Sequence, residues 1–348
     1  MRKLHYFVLL GCISLCVLLF SAFWWNESNK SNTSPSRQPY QIQVILKAYH
    51  QPPTFWRVVS QGIDAAETEF GVNCEINAPD SESDLERQIE LVREAIAKKP
   101  DAIILAACDY EKMTPVCKEA TDTGILLVTL DSDVNFDGRR AFVGTDNYEM
   151  GKKLAGLLQE EAGSENAFGV ISHVEGTSTA AQRLDGLLDN TPNASSRMAA
   201  LSYCNGFEVY AKQLTIRMLQ EHPEIKCMVG LNESSALGIA AALNELGLAD
   251  QIPLVVCDSS EKQIQFLENG TIRACVVQNP FSMGYLSVAN TVKLLNRQSV
   301  DAITYTDSVV VHRDYLMNAE IQQLIIPFRL DNQSFDSGSS PADSPESN

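Results

Sequence analysis

Leu126-Leu127-Val128-Thr129-Leu130-Asp131 is the stretch on which the fold turns. Five uncharged residues end abruptly on a carboxylate. A run that is apolar throughout, rather than at every second position, suits a strand in a parallel sheet covered on both faces. Ala102-Ile103-Ile104-Leu105-Ala106-Ala107 upstream has the same character. Working outward, further candidate strands are 42–48, 73–78, 141–144, 168–173, 198–203, 228–231, 254–257 and 274–278. Helical patterns fill the gaps. One of them, 84–98, places Leu85, Ile89, Val92 and Ile96 at helical spacing. Strand–helix alternation from 40 to 328 predicts an α/β fold of doubly wound parallel sheets. In such sheets ligands bind beyond the carboxyl ends of the strands.

Those ends are polar. Strands finish on or just before Asp131, Asp146, Asn232, Asp258 and Gln278. Asp, Asn and Ser at helix starts also cap orphan N–H groups, and Asp146 or Asn147 fits that role. Asp131 and Gln278 are poorly placed for it. Asp131, Asn232, Asp258 and Gln278 are therefore expected to line a polar ligand cleft. Phe55 and Trp56 follow Pro52-Pro53 after the first strand. Adjacent aromatics point in different directions, so one can join the core while the other offers a flat face to the C–H side of a sugar ring.

Composition sets limits. There are 27 Lys+Arg against 44 Asp+Glu, a net charge of −17. This argues against nucleic acid as a partner, because nucleic-acid binders need clustered Lys and Arg. Residues 6–25 carry no charge and end in Trp24-Trp25, with Arg2 and Lys3 before them. The segment is long enough to cross about 30 Å of hydrocarbon, and the basic residues orient it with the bulk of the chain outside the cytoplasm. Residues 1–25 are thus expected to be a single-pass membrane anchor or uncleaved signal, and 26–39 a flexible linker. Residues 329–348 read as a disordered acidic tail. Within them, 331–348 hold six Ser, two Pro and four acids and no base.

Several chemistries find no footing. The five histidines, at 5, 50, 173, 222 and 312, are scattered, and no Cys-x-x-Cys occurs, so no metal centre and no cofactor is expected. Gly144 and Gly151 have six residues between them and two acids, which is not a phosphate loop; Gly151 instead fits close helix packing. Gly176-Thr177-Ser178-Thr179-Ala180 lies where a hydrolase would carry its nucleophile. A serine hydrolase using Ser178, with Asp258 and His312 completing a triad, is the alternative from another class. Its bland rival is a helix cap by Thr177 or Ser178 for the helix bearing Arg183. Of nine cysteines, seven lie outside the anchor, and an odd number cannot all pair; Cys204–Cys227 is one conceivable bridge.

Taken in order, Val128–Asp131, Gly144–Asn147, Glu175–Arg183, Asn232–Gly238 and Val255–Asp258 resemble the ribose/galactose type of periplasmic sugar-binding protein, whose core is shared with the lac-repressor family. The resemblance spans nearly all of 40–325. It implies two lobes joined by three crossings near 145–148, 277–281 and 306–309, with a sugar held between them. The first lobe would comprise 40–146 and 279–307, the second 147–278 and 308–328. It assigns ligand contacts to Asp131, Arg183, Asn232, Asp258 and Gln278, with Phe55 and Trp56 as stacking aromatics. Planar amide, carboxylate and guanidinium groups can each hold two vicinal hydroxyls. The family's Arg after the strand-end Asp is Ser132 here, followed by Asp133. Such an Asp-Ser-Asp triplet also occurs in relatives that bind other small polyols and furanosyl signals. The resemblance implies a non-enzymatic solute-binding protein for a monosaccharide or similar polyol, serving an ABC permease or a membrane histidine kinase.

Overall fold

The computed structural model describes residues 38–48 and 54–325. The expected anchor, most of the linker, the acidic tail, His50 and Gln51 lie outside the described residues. Among those described, no helix is long and apolar enough to cross a membrane.

The described residues from Tyr40 to Ile325 form one compact unit built around two six-stranded sheets. The first sheet contains β1 (Gln41–Ile45), β2 (Asn73–Asn77), β3 (Ala102–Leu105), β4 (Leu126–Leu130) and β5 (Ala141–Thr145). The second contains β6 (Ala167–Ser172), β7 (Met198–Tyr203), β8 (Ile225–Gly230), β9 (Leu254–Cys257) and β10 (Ala274–Val277). Two short strands, β11 (Ile303–Thr306) and β12 (Val309–His312), complete the edges. The orders are β11-β5-β4-β3-β1-β2 and β12-β10-β9-β8-β6-β7. The second sheet repeats the first, with β6 to β10 in the places of β1 to β5.

The other ten strands fall on the candidate strands of the sequence; β11 and β12 do not. Only two residues, Asp307 and Ser308, separate them, so the chain runs straight from one sheet into the other. β11 is parallel to β5, but β12 is antiparallel to β10. That departure from all-parallel sheets follows from the route. The parallel strands aim their carboxyl ends at the space between the lobes, and a strand entering from that space must run the other way.

Helices cover both faces of each sheet. In the first lobe lie α1 (Thr54–Phe70), α2 (Leu85–Ala97) and α3 (Thr114–Asp122). The second carries α4 (Asn147–Ala162), α5 (Ser178–Asp189), the short α6 (Ala194–Arg197), α7 (Glu208–Glu221), α8 (Glu233–Glu245) and α9 (Glu261–Glu268). α10 (Pro280–Leu295) returns to the first lobe, and α11 (Ala319–Ile325) follows the last strand. Strand residues alternate between the two layers. Ile42, Val44 and Ile104 join one core cluster, whereas Ile45, Ile103 and Leu105 join the other. Leu254 and Val256 against Val255 and Cys257 do the same in the second sheet. On α2 the deepest residues are Gln88, Leu91, Val92 and Ala95, with Leu85, Ile89 and Ile96 at the flanks. The apolar spacing could not foresee Gln88, whose Nε2 donates to the Leu46 and Ala106 carbonyls while its Oε1 accepts from the Cys108 N–H.

The seven cysteines among the described residues are free. A Cys204–Cys227 bridge is ruled out by register. Cys227 lies beside Phe168 and Cys204 just beyond the Ser172–Tyr203 pair, about 16 Å apart along β6, too far for a disulfide. Burial pushes the Cys204 thiol up to about 11 and those of Cys117, Cys227 and Cys257 up to about 12, leaving them unreactive small core residues.

Gly151 performs the packing role its position suggested. A Cβ there would collide with the carbonyl oxygen of Arg183, and one at Gly186 with that of Tyr148. The backbones of α4 and α5 therefore touch. Gly156, on the same helix, has open space around it. Gly151→Ala is expected to destabilise the protein by about 1–3 kcal/mol through overpacking. Gly156→Ala is expected to stabilise it by about 0.5–1 kcal/mol through lost unfolded-chain entropy. Urea unfolding of the two variants should show the opposite signs.

Candidate functional site

The sheets' repetition places corresponding residues on both sides of one cavity. Beyond β4 stands Asp131 and beyond β9 stands Asp258, and both adopt left-handed backbone, with φ of 58° and 72°. Aspartate tolerates this region better than most residues, at a modest cost. The turn is fixed by matching bonds, the Asp131 N–H to the Val143 carbonyl and the Asp258 N–H to the Val276 carbonyl.

Each aspartate faces a cation of its own lobe. Lys47, beyond β1, brings its Nζ to 3.2 Å from Asp131 Oδ2, and both side chains are at most 5% exposed. Arg183, on α5, lies 3.9 Å from Asp258 Oδ2. Its Nε donates to Asn147 Oδ1 at 2.8 Å and an Nη to the Leu231 carbonyl at 2.7 Å. Asp258 also accepts from the Glu233 N–H and from Gln278 Nε2. Burial pushes its carboxyl above the usual range, and these three partners only partly offset that.

The seven residues expected from sequence, Phe55, Trp56, Asp131, Arg183, Asn232, Asp258 and Gln278, all line this one cavity. Phe55 and Trp56 meet edge to face, with centroids 5.0 Å apart. Both border the cavity, so neither is lost wholly to the core, though Trp56 is the more deeply buried. Asn232 serves twice. It caps α8 through a capping box with Ser235, the bland role, and lines the cavity as well.

Four lining residues escaped the sequence reading: Lys47, Glu82, His173 and Thr179. Lys47 and His173 occupy equivalent places, after β1 and after β6. The polar-strand-end rule would have found both had it been applied to every strand. Glu82 sits in the turn before α2 and accepts from Trp56 Nε1 at 2.8 Å, a contact with no local sequence signal. Two cations and three carboxylates, all buried, thus line one cavity together with an imidazole and two amides.

Ser178, the alternative nucleophile, has other work. Its hydroxyl accepts from the Asp133 N–H at 2.8 Å and lies 3.2 Å from Ser132 Oγ. Both partners belong to the first lobe. Thr177 caps α5 by accepting from the Ala180 N–H, as the bland reading held. His312 stands on β12 opposite Ala274, and Asp258 is engaged with Arg183 and Gln278. The triad is not assembled. The Tyr110 N–H bond to the Gly176 carbonyl and the Lys47 bond to Thr179 Oγ1 also span the lobes, so the cleft is closed at this rim.

Residues 42–299 match the family described as periplasmic binding protein domain. A D-ribose/D-allose-binding protein of Pseudomonas aeruginosa is 27% identical over 267 residues, covering 74% of this chain and 83% of that protein. The crystal structure of a sugar transporter from Clostridium phytofermentans is 35% identical, with a TM-score of 0.75, and covers 79% of this chain and 99% of its own. An ABC transporter solute-binding protein of Agrobacterium vitis, solved with bound D-fucose, is 28% identical at a TM-score of 0.77, covering 82% and 99%.

Removing one member of a buried pair leaves the other charge uncompensated. Arg183→Met is expected to lower stability by about 3–5 kcal/mol in denaturant unfolding. Adding Asp258→Asn to it should recover most of that loss.

Proposed function

The chain belongs to the periplasmic binding protein family, and we propose that it is an extracytoplasmic receptor that closes on one monosaccharide or similar small polyol. The observation that carries this reading is the cavity between the lobes. Carboxylates, a guanidinium and amides converge there beside two aromatic rings. Hydroxyls of a polyol can bond to the ionised groups, and in a site screened from water such charge-assisted bonds are strong. The rings supply an apolar wall for the C–H face of the sugar. The balance of two cations against three carboxylates disfavours an anionic ligand. The names of the relatives point the same way.

We place the receptor on the outer face of the cell membrane, tethered by residues 1–25 through a linker at 26–39. The chemistry ends at binding; no group in the cavity is set up to attack a bond. The liganded receptor then engages a membrane partner, either an ABC importer or a sensor histidine kinase. A tether raises the effective concentration of receptor at such a neighbour.

A thermal-shift screen of residues 40–330 against pentoses, hexoses and polyols tests the ligand class. At least one should raise the unfolding midpoint, and Asp258→Ala should abolish that rise. If no compound stabilises the protein, or if Asp258→Ala responds as the wild type does, the reading fails. Deleting the gene separates the partners. Lost uptake of the sugar identifies an importer, whereas normal uptake with lost sugar-induced transcription identifies a sensor.

A further inference from the structure

His173 lines the cavity, is 3% exposed and carries a buried Nδ1 with no hydrogen-bond partner. A buried polar atom left without a partner costs free energy, and native structures rarely keep one without a reason. The rest of the ring is fully engaged. Nε2 lies 2.9 Å from Thr179 Oγ1 and 3.2 Å from Thr177 Oγ1. The direction of these bonds follows from where the chain of hydroxyls ends. Thr177 donates to the Val174 carbonyl at 3.0 Å, a group that can only accept. Thr179 donates in turn to Thr177 Oγ1 at 3.3 Å. Thr179 has then spent its proton, and the bond to His173 needs the hydrogen on Nε2. The tautomer so assigned leaves Nδ1 with a lone pair and no donor facing it.

We propose that His173 contacts the ligand directly, its Nδ1 lone pair accepting a hydrogen bond from one hydroxyl of the bound polyol. The proposal rests on the polyol reading above and adds the residue and bond that discriminate among polyols. An acceptor of this kind rejects a ligand in which that hydroxyl is missing or methylated, because the nitrogen would stay buried and unpaired. Lys47 extends the arrangement across the cleft. Its Nζ, held by Asp131 in the first lobe, donates to Thr179 Oγ1 at 3.5 Å in the second. The imidazole and the closing contact thus share one hydroxyl.

The neutral form is part of the design. Lys47 faces the ring from the first lobe and Arg183 from α5, with Asp131, Glu82 and Asp258 beyond them around the cavity. Burial first, then the two cations, hold the imidazole well below its ordinary value of 6.5. An open cleft would return the ring to water and toward that value. Protonation then favours the open form, and binding must expel the proton. Affinity should fall as pH drops below about 6.5, by at most about tenfold per pH unit for one such proton.

The test is isothermal titration calorimetry of the whole protein with D-ribose, D-allose and their monodeoxy analogues, at several pH values. For the wild type, one deoxy position should cost about tenfold or more in affinity. In His173→Phe that one discrimination should vanish while those at the other positions persist. In His173→Asn the acid-side loss of affinity should be smaller by one proton's slope. Selectivity and pH profile unchanged in both variants would overturn the proposal and leave His173 a packing residue. So would a wild-type affinity that stays flat from about pH 7.5 to 5.5, a result that needs no variant to fold. A wild type that binds no sugar or polyol at all overturns the polyol reading itself, and this proposal with it.

Discussion

Five ionisable groups with almost wholly buried side chains line one cavity, and the geometry of the site follows from keeping each of them partnered. A lone buried charge costs several kcal/mol even after relaxation, so every charge needs a counter-group within its own lobe if the lobes are to separate. That condition is met by Lys47 with Asp131 on one side and by Arg183 with Asp258 on the other. Glu82 takes the indole N–H of Trp56. The left-handed backbone at both aspartates is the local cost of aiming a carboxylate back over the strand ends. Two copies of one sheet topology make it natural that the same solution appears twice.

Much of this was legible because a doubly wound sheet forces ligand groups to the carboxyl ends of strands, and a strand end is a local feature. Asp131, Asp258 and Gln278 are polar residues stopping apolar runs, and the chain puts all three on the cavity. Lys47 and His173 stop apolar runs too. They carry the same local signal as the aspartates, although a lysine or histidine beside a strand also has many ordinary explanations. Glu82 and Thr179 were out of reach, since their roles are set by what comes to meet them from elsewhere in the fold. The edge strands β11 and β12 were illegible for a related reason. They are four residues each, and neither has more than one buried residue. Only the neighbouring β5 and β10 make strands of them.

Ser178 shows how a motif can be right in place and wrong in chemistry. A hydroxyl residue between a strand and a helix suits a nucleophile, and it suits equally a tie between two lobes. What decides is the company it keeps. Here it faces the backbone of Asp133 and the hydroxyl of Ser132 rather than an imidazole. The bonds that span the rim are few and neutral apart from the one from Lys47. Contacts of that kind can be made and broken without stranding a charge.

The touching backbones of α4 and α5 have a mechanical meaning. Arg183 lays its carbonyl against Gly151, while its guanidinium grips Asn147 at the first residue of α4. Asn147 in turn donates to the carbonyl of Thr145, where the first crossing leaves its strand. The hydroxyl of Thr145 meets that of Thr306 at the third crossing. The side chain proposed to hold the ligand and two of the crossings between the lobes are thus linked by one short chain of bonds. On that reading, a molecule only a few ångströms across pulls on the crossings as well as on the group it touches.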